Sequence, residues 1–216
     1  MRKLKRELLR KGLHLSGLIF PVSYYFILSR DAVTSILAIA VITTGILELM
    51  RICGTVRLPC DLFRSSEERS RTGGWFLALL SMLIVAVVFD RQIAIAAMAF
   101  MLVGDAATGI AGAIMVSRGC CDRVIIRTTQ EGSPERVLQA IGSHKHPALM
   151  AIMFLSCMIP AMIAFPEMGL PVIIAGSAGA VIAESFPWML GDHSINDDFS
   201  ITILSGSLMG LAAAIL

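Results

Sequence analysis

Gly104-Asp105-Ala106-Ala107-Thr108-Gly109-Ile110-Ala111-Gly112 places a carboxylate inside a hydrophobic run otherwise long enough to cross a bilayer. Desolvating a charge within a spanning helix is costly, so acids there are rare and generally face a bundle interior, a partner charge, a cation or a substrate path. On a helix, Gly104, Thr108, Ala111 and Gly112 lie close to the Asp105 face. Two readings of that small-residue face stay open: it admits a neighbouring helix at close range, or it leaves room for a ligand beside Asp105. Packing accounts for the glycines and leaves the aspartate unexplained.

Outward from this stretch, the chain of 216 residues is 56% hydrophobic and only 16% charged, with a mean hydropathy of +0.79. That is far more apolar than an ordinary soluble domain, so the expected class is an all-α polytopic membrane protein forming one domain over 1–216. The basic start Met1-Arg2-Lys3-Leu4-Lys5-Arg6 runs into an apolar segment without a small-residue cleavage site, so the first helix is expected to stay in the mature protein. Five cysteines, with Cys53, Cys60, Cys120 and Cys121 in polar loops and no CxxC or Cys/His spacing, predict free thiols rather than a zinc site.

Apolar runs of about 17 to 25 residues mark spanning helices, and seven candidates occur, at 12–29, 32–50, 74–89, 92–117, 146–166, 169–189 and 199–216. Alternation puts the polar pieces 1–11, 51–73, 118–145 and 190–198 on one side. Sixteen of the eighteen basic residues fall there, leaving Arg30 and Arg91 opposite. By the positive-inside rule the N-terminus is expected to be cytoplasmic. Ser133-Pro134-Glu135 before Val137, Leu138, Ala140 and Ile141 predicts a short interfacial amphipathic helix within 118–145.

Several polar constellations share that side. Glu7, Arg10, Lys11 and His14 recur on one helix face, as a basic membrane anchor or as functional groups. Glu48 and Arg51, at i and i+3, suit an ion pair of structural value. Arg64 to Gly74, with Arg69 and Arg71, reads either as solvated loop or as an oxyanion-binding patch. Lys145, between His144 and His146, is an interfacial anchor or a phosphate contact. Asp197 and Asp198 suit a helix N-terminus electrostatically. Together with Asp105 and Glu184, they are also the carboxylates that would hold Mg²⁺ beside the phosphate-binding cations Arg10, Lys11 and Lys145, the parts phosphoryl transfer needs.

These residues resemble the membrane-embedded, CTP-dependent lipid kinases, the family of dolichol kinase, yeast-type diacylglycerol kinase and phytol kinase. Glu7-Leu8-Leu9-Arg10-Lys11-Gly12-Leu13-His14 resembles the family's RKxxH signature, and Glu67-Glu68-Arg69-Ser70-Arg71-Thr72-Gly73 its next loop. Gly104 to Gly112 is similar to GDxxAxxxG, with Thr108 in place of alanine. Asn196-Asp197-Asp198-Phe199-Ser200-Ile201-Thr202 is similar to DDNxTIP, with Asn196 and Asp198 exchanging amide and acid and Thr202 replacing proline. The weakest match is Lys145-His146-Pro147-Ala148-Leu149-Met150, which retains the lysine and little else.

The resemblance implies CTP-dependent phosphorylation of a membrane lipid alcohol, dolichol or polyprenol ahead of diacylglycerol or another isoprenoid alcohol, with Mg²⁺ as cofactor. Carried onto this sequence, it implies Asp105, Lys11 and Arg10 in catalysis. Arg10, Lys11, His14, Arg69, Arg71, Gly104, Thr108, Gly112 and Lys145 would bind nucleotide, and Asp105, Glu184, Asp197 and Asp198 would hold metal. The expected partners are the lipid alcohol and a nucleotide arriving from the cytoplasm, with a homodimer compatible and nucleic acid not indicated. A cytidylyltransferase acting on a lipid phosphate is the nearest rival, and a small membrane transporter is the alternative from another class.

Overall fold

The computed structural model describes residues 11–12, 14–54, 73–117, 146–186, 189–190, 193–194 and 196–216. The proposed surface helix within 118–145 lies outside these residues. Every described part of the seven apolar runs contains helix, as expected where backbone polar groups must be satisfied without water. After a 3₁₀ turn at Ser16–Leu18 come α1 (Ile19–Phe26), α2 (Arg30–Ile52), α3 (Gly74–Val88) and α4 (Arg91–Ala99). A π turn, Phe100–Gly104, joins α4 to α5 (Asp105–Ser117), so that 91–117 form one rod. Then follow α6 (Pro147–Ala164), a 3₁₀ turn at Pro166–Met168, α7 (Leu170–Ser185) and α8 (Asp197–Ile215).

Four of these helical stretches are long and apolar enough to cross a membrane: Arg30–Ile52, Arg91–Met115, Pro147–Ala164 and Asp197–Ile215. α3 and α7 are shorter apolar helices. The protein is thus an α-helical membrane protein, with a single two-stranded ladder among the described residues. It pairs β1 (Met189–Leu190) with β2 (His193–Ser194), antiparallel, in the link that leads into α8.

The helix ends follow local chemistry. Ser29 Oγ accepts from the Ala32 amide at 3.3 Å to start α2, and α2 stops at Gly54, whose φ of 76° favours glycine. Pro147 opens α6 where no amide donor is needed, with His146 Nδ1 accepting from the Ala148 amide at 3.2 Å. His146, next to Lys145 in the sequence, thus serves as a helix cap. Asn196 Oδ1 accepts from the Asp198 amide at 2.8 Å, so Asp197 and Asp198 do occupy the first turn of α8.

The rod is the axis of the bundle. Two-thirds of the apolar window of Arg91–Met115 is buried, against 17% for α2, which packs chiefly on α3 and turns Ile39, Ile42 and Leu49 outward. With lipid as apolar as leucine, close packing rather than water exclusion must hold such helices together. The tightest pair is α7 on α8, where a Cβ at Gly179 would lie 3.1 Å from the Leu204 carbonyl oxygen and from Ser205 Cα. Met98, Met101, Leu102, Met153, Ile173 and Met209 fill the centre.

Candidate functional site

α5 begins at Asp105, immediately after the π turn. Such turns are rare, insert one residue into an α-helix and are frequent at functional sites. Here the turn leaves carbonyls that side chains exploit: His14 Nε2 lies 3.5 Å from Met101 O, and Cys157 Sγ donates to Phe100 O at 3.8 Å.

The same His14 nitrogen also faces two carboxylates. It is 3.4 Å from Asp105 Oδ2 and 3.9 Å from Asp198 Oδ1. With three oxygen acceptors around it, Nε2 is the ring nitrogen that these neighbours favour as the N–H. Lys11 Nζ donates to the same Asp105 Oδ2 in an ion pair with side-chain exposures of 4% and 15%. The lysine reaches it by crossing Gly109, where a Cβ would run into Lys11 Cε and stand 3.0 Å from Nζ. Gly109 is therefore the glycine of the motif that the acid's partner needs.

Gly104 does something else. A Cβ there would meet Met153 Sδ at 2.6 Å and Cys157 Sγ at 2.9 Å, so this glycine admits α6. Gly112 is buried within α5. Thr108 is buried, donates its hydroxyl to Gly104 O at 3.0 Å and faces Glu184 Oε1 at 3.5 Å. Glu184 itself is 4% exposed near the end of α7.

Among the described residues, the side chains close enough to share one metal ion are His14, Asp105 and Asp198, whose ligand atoms lie within 4.8 Å of one another. Glu184 and Asp197 stand outside that group, Glu184 beside Thr108 and Asp197 at the head of α8. Arg10, Arg69, Arg71 and Lys145 lie outside the described residues.

Glu48 and Arg51 form the ion pair that their i,i+3 spacing suggested. Their pair is buried, with Arg51 Nε on Glu48 Oε2 at 3.0 Å and Nη2 on Oε1 at 2.5 Å, and it binds the Gly73 amide. The i,i+3 spacing signalled the pair, but nothing local signalled Gly73. Gly109 was missed as well, although its place four residues after Asp105 put it on the same face.

What the arrangement offers chemically is a half-buried set of oxygens beside one lysine. Lys11 pairs with Asp105 within that set. Two carboxylates also suit Mg²⁺, which takes one or two from the protein and completes its shell with waters and substrate phosphates. Compared with known protein families, curated proteins and solved structures, the chain matches none.

Proposed function

We propose that the protein is a membrane-embedded lipid kinase that transfers the γ-phosphate of CTP to the hydroxyl of a lipid alcohol, a polyprenol or dolichol ahead of diacylglycerol. The observation that carries this reading is the meeting of Lys11, His14, Asp105 and Asp198 from three separate parts of the chain. The motif resemblance supplies the reaction and the donor. In this reading the chain crosses the membrane about seven times with its N-terminus in the cytoplasm, so the cluster opens to soluble nucleotide. A lipid alcohol reaches it laterally, with its hydroxyl at interface depth.

Asp105 and Asp198 would hold Mg²⁺, with His14 beside them. When bound, the metal would neutralise charge on the phosphate oxygens. Lys11 turns from Asp105 to a phosphate oxygen and holds the donor in line, so that positioning and electrostatics carry the rate. The lipid oxygen forms a bond to the γ-phosphorus as the bond to the CDP oxygen breaks, and the hydroxyl proton leaves for solvent or a phosphate oxygen. A loose transition state asks little of a general base.

The test is purified protein in lipid nanodiscs with γ-labelled CTP or ATP, Mg²⁺ and a panel of lipid alcohols. Labelled lipid phosphate together with CDP is expected. Failure to label any lipid with either nucleotide would sink the kinase reading, and pyrophosphate release with a lipid phosphate as acceptor would replace it by cytidylyl transfer.

A further inference from the structure

The buried pair at the end of α2 takes no part in the chemistry above, yet two glycines connect it to the cluster. Glu48 Oε1 accepts the Gly73 amide at 2.5 Å while Arg51 grips both carboxylate oxygens. Gly73 is the N-cap of α3, so one carboxylate ties the last turns of α2 to the first turn of α3. Gly74 faces a different neighbour: a Cβ there would stand 2.7 Å from Asn196 Nδ2 and 3.6 Å from Asp198 Oδ2. Asn196 caps α8 and Asp198 faces His14.

A buried ion pair is an expensive way to hold a backbone amide, and apolar side chains of similar volume often pack as well or better. What a forked guanidinium adds is direction, because two parallel contacts fix the carboxylate plane and with it the position of the Gly73 amide. The gap between Gly74 and Asn196 is too narrow for a methyl group, so a displacement of α3 there is passed to the head of α8. We infer that Glu48, held by Arg51, is a positioning residue that sets Asp198 against His14 and Asp105 by fixing the Gly73-Gly74 step. The inference rests on the reading of that cluster as the metal and phosphate site.

The test uses the full chain purified in detergent and Mn²⁺ alone as probe, with bound metal read from the loss of the free-ion electron paramagnetic resonance signal. Glu48→Gln and Gly74→Ala are each expected to weaken Mn²⁺ about tenfold or more, the usual effect of losing an outer partner of a metal ligand. The comparison variant is Met82→Ala, in the same helix at a buried site, which lowers thermal stability and leaves Mn²⁺ affinity unchanged. Gly74→Ala does not touch the ion pair and carries the test if Glu48→Gln does not fold. Unchanged affinity in Gly74→Ala, or equal weakening in Met82→Ala, overturns the positioning role. Wild-type protein that binds no Mn²⁺ overturns the metal reading itself, and the inference with it, before any substitution is made.

Discussion

At one end of the bundle Lys11, His14, Asp105 and Asp198 face one another, whereas at the other Arg30, Arg91 and Tyr25 face backbone. Arg30 donates Nε to Ala86 O at 3.1 Å and a second nitrogen to Val87 O. Arg91 donates Nη2 to Tyr24 O at 2.7 Å and to Tyr25 O at 3.1 Å, and its guanidinium lies 5.5 Å from the Tyr24 ring centroid. The Tyr25 hydroxyl donates to Ala164 O at 3.2 Å. These carbonyls close α3, α1 and α6, where no amide of the same helix remains to satisfy them, and positive charge complements the helix dipole there. The two basic residues that break the one-sided charge distribution are thus helix caps. A charge that ends on orphan carbonyls is fully explained by the fold, and one that ends on other charges from distant segments is not.

The substitution that tests this contrast most strongly is Asp105→Asn, which keeps the shape and removes the charge. Lipid phosphorylation should fall at least a hundredfold, about 3 kcal/mol of transition-state stabilisation, in protein that still purifies as a folded species. Near-normal turnover there would put the polar cluster in the same class as the caps. Gly104→Ala should cost about 2 kcal/mol of stability, as overpacking against Met153 and Cys157 does, measured by thermal unfolding in detergent. An unaltered transition would show that the approach of α6 is loose.

Gly109→Ala sharpens the comparison from within the cluster, since a methyl group there pushes Lys11 off Asp105. A loss near tenfold in kcat/KM, about 1.4 kcal/mol, is expected with little change in unfolding temperature. A stability loss without a rate effect would make Lys11 a structural partner. The smallest effect belongs to Arg91→Ala. Its partly exposed contacts are worth about 1 kcal/mol of stability in total, and specific activity per folded molecule should match wild type. A drop in that activity would break the division between the two ends.

Much of the fold was legible from hydropathy, and the motif around Asp105 was legible as an anomaly. The Glu48–Arg51 pair could be read from its spacing, and the place of Asp197 and Asp198 at a helix N-terminus from helix-end electrostatics, whereas the Asn196 cap was not read. The π turn left no such trace, because Phe100-Met101-Leu102-Val103-Gly104 reads as an ordinary apolar helix and the extra residue is tolerated only where neighbours accept the altered face. Nor did the short spacing of Glu48 and Arg51 point to Gly73, 25 residues away.

The amino-acid sequence by itself determined that these segments are helices, since apolar chains without water must satisfy their own backbone. It also determined that a carboxylate sits among them on a face of small residues. Which small residue does what was decided by tertiary structure alone. Gly104 and Gly109 look alike in the motif, yet one receives Met153 and Cys157 from α6 and the other Lys11, 94 residues before Asp105. A glycine specifies only that something approaches closely, and the neighbour that folding brings there settles whether that space serves packing or charge.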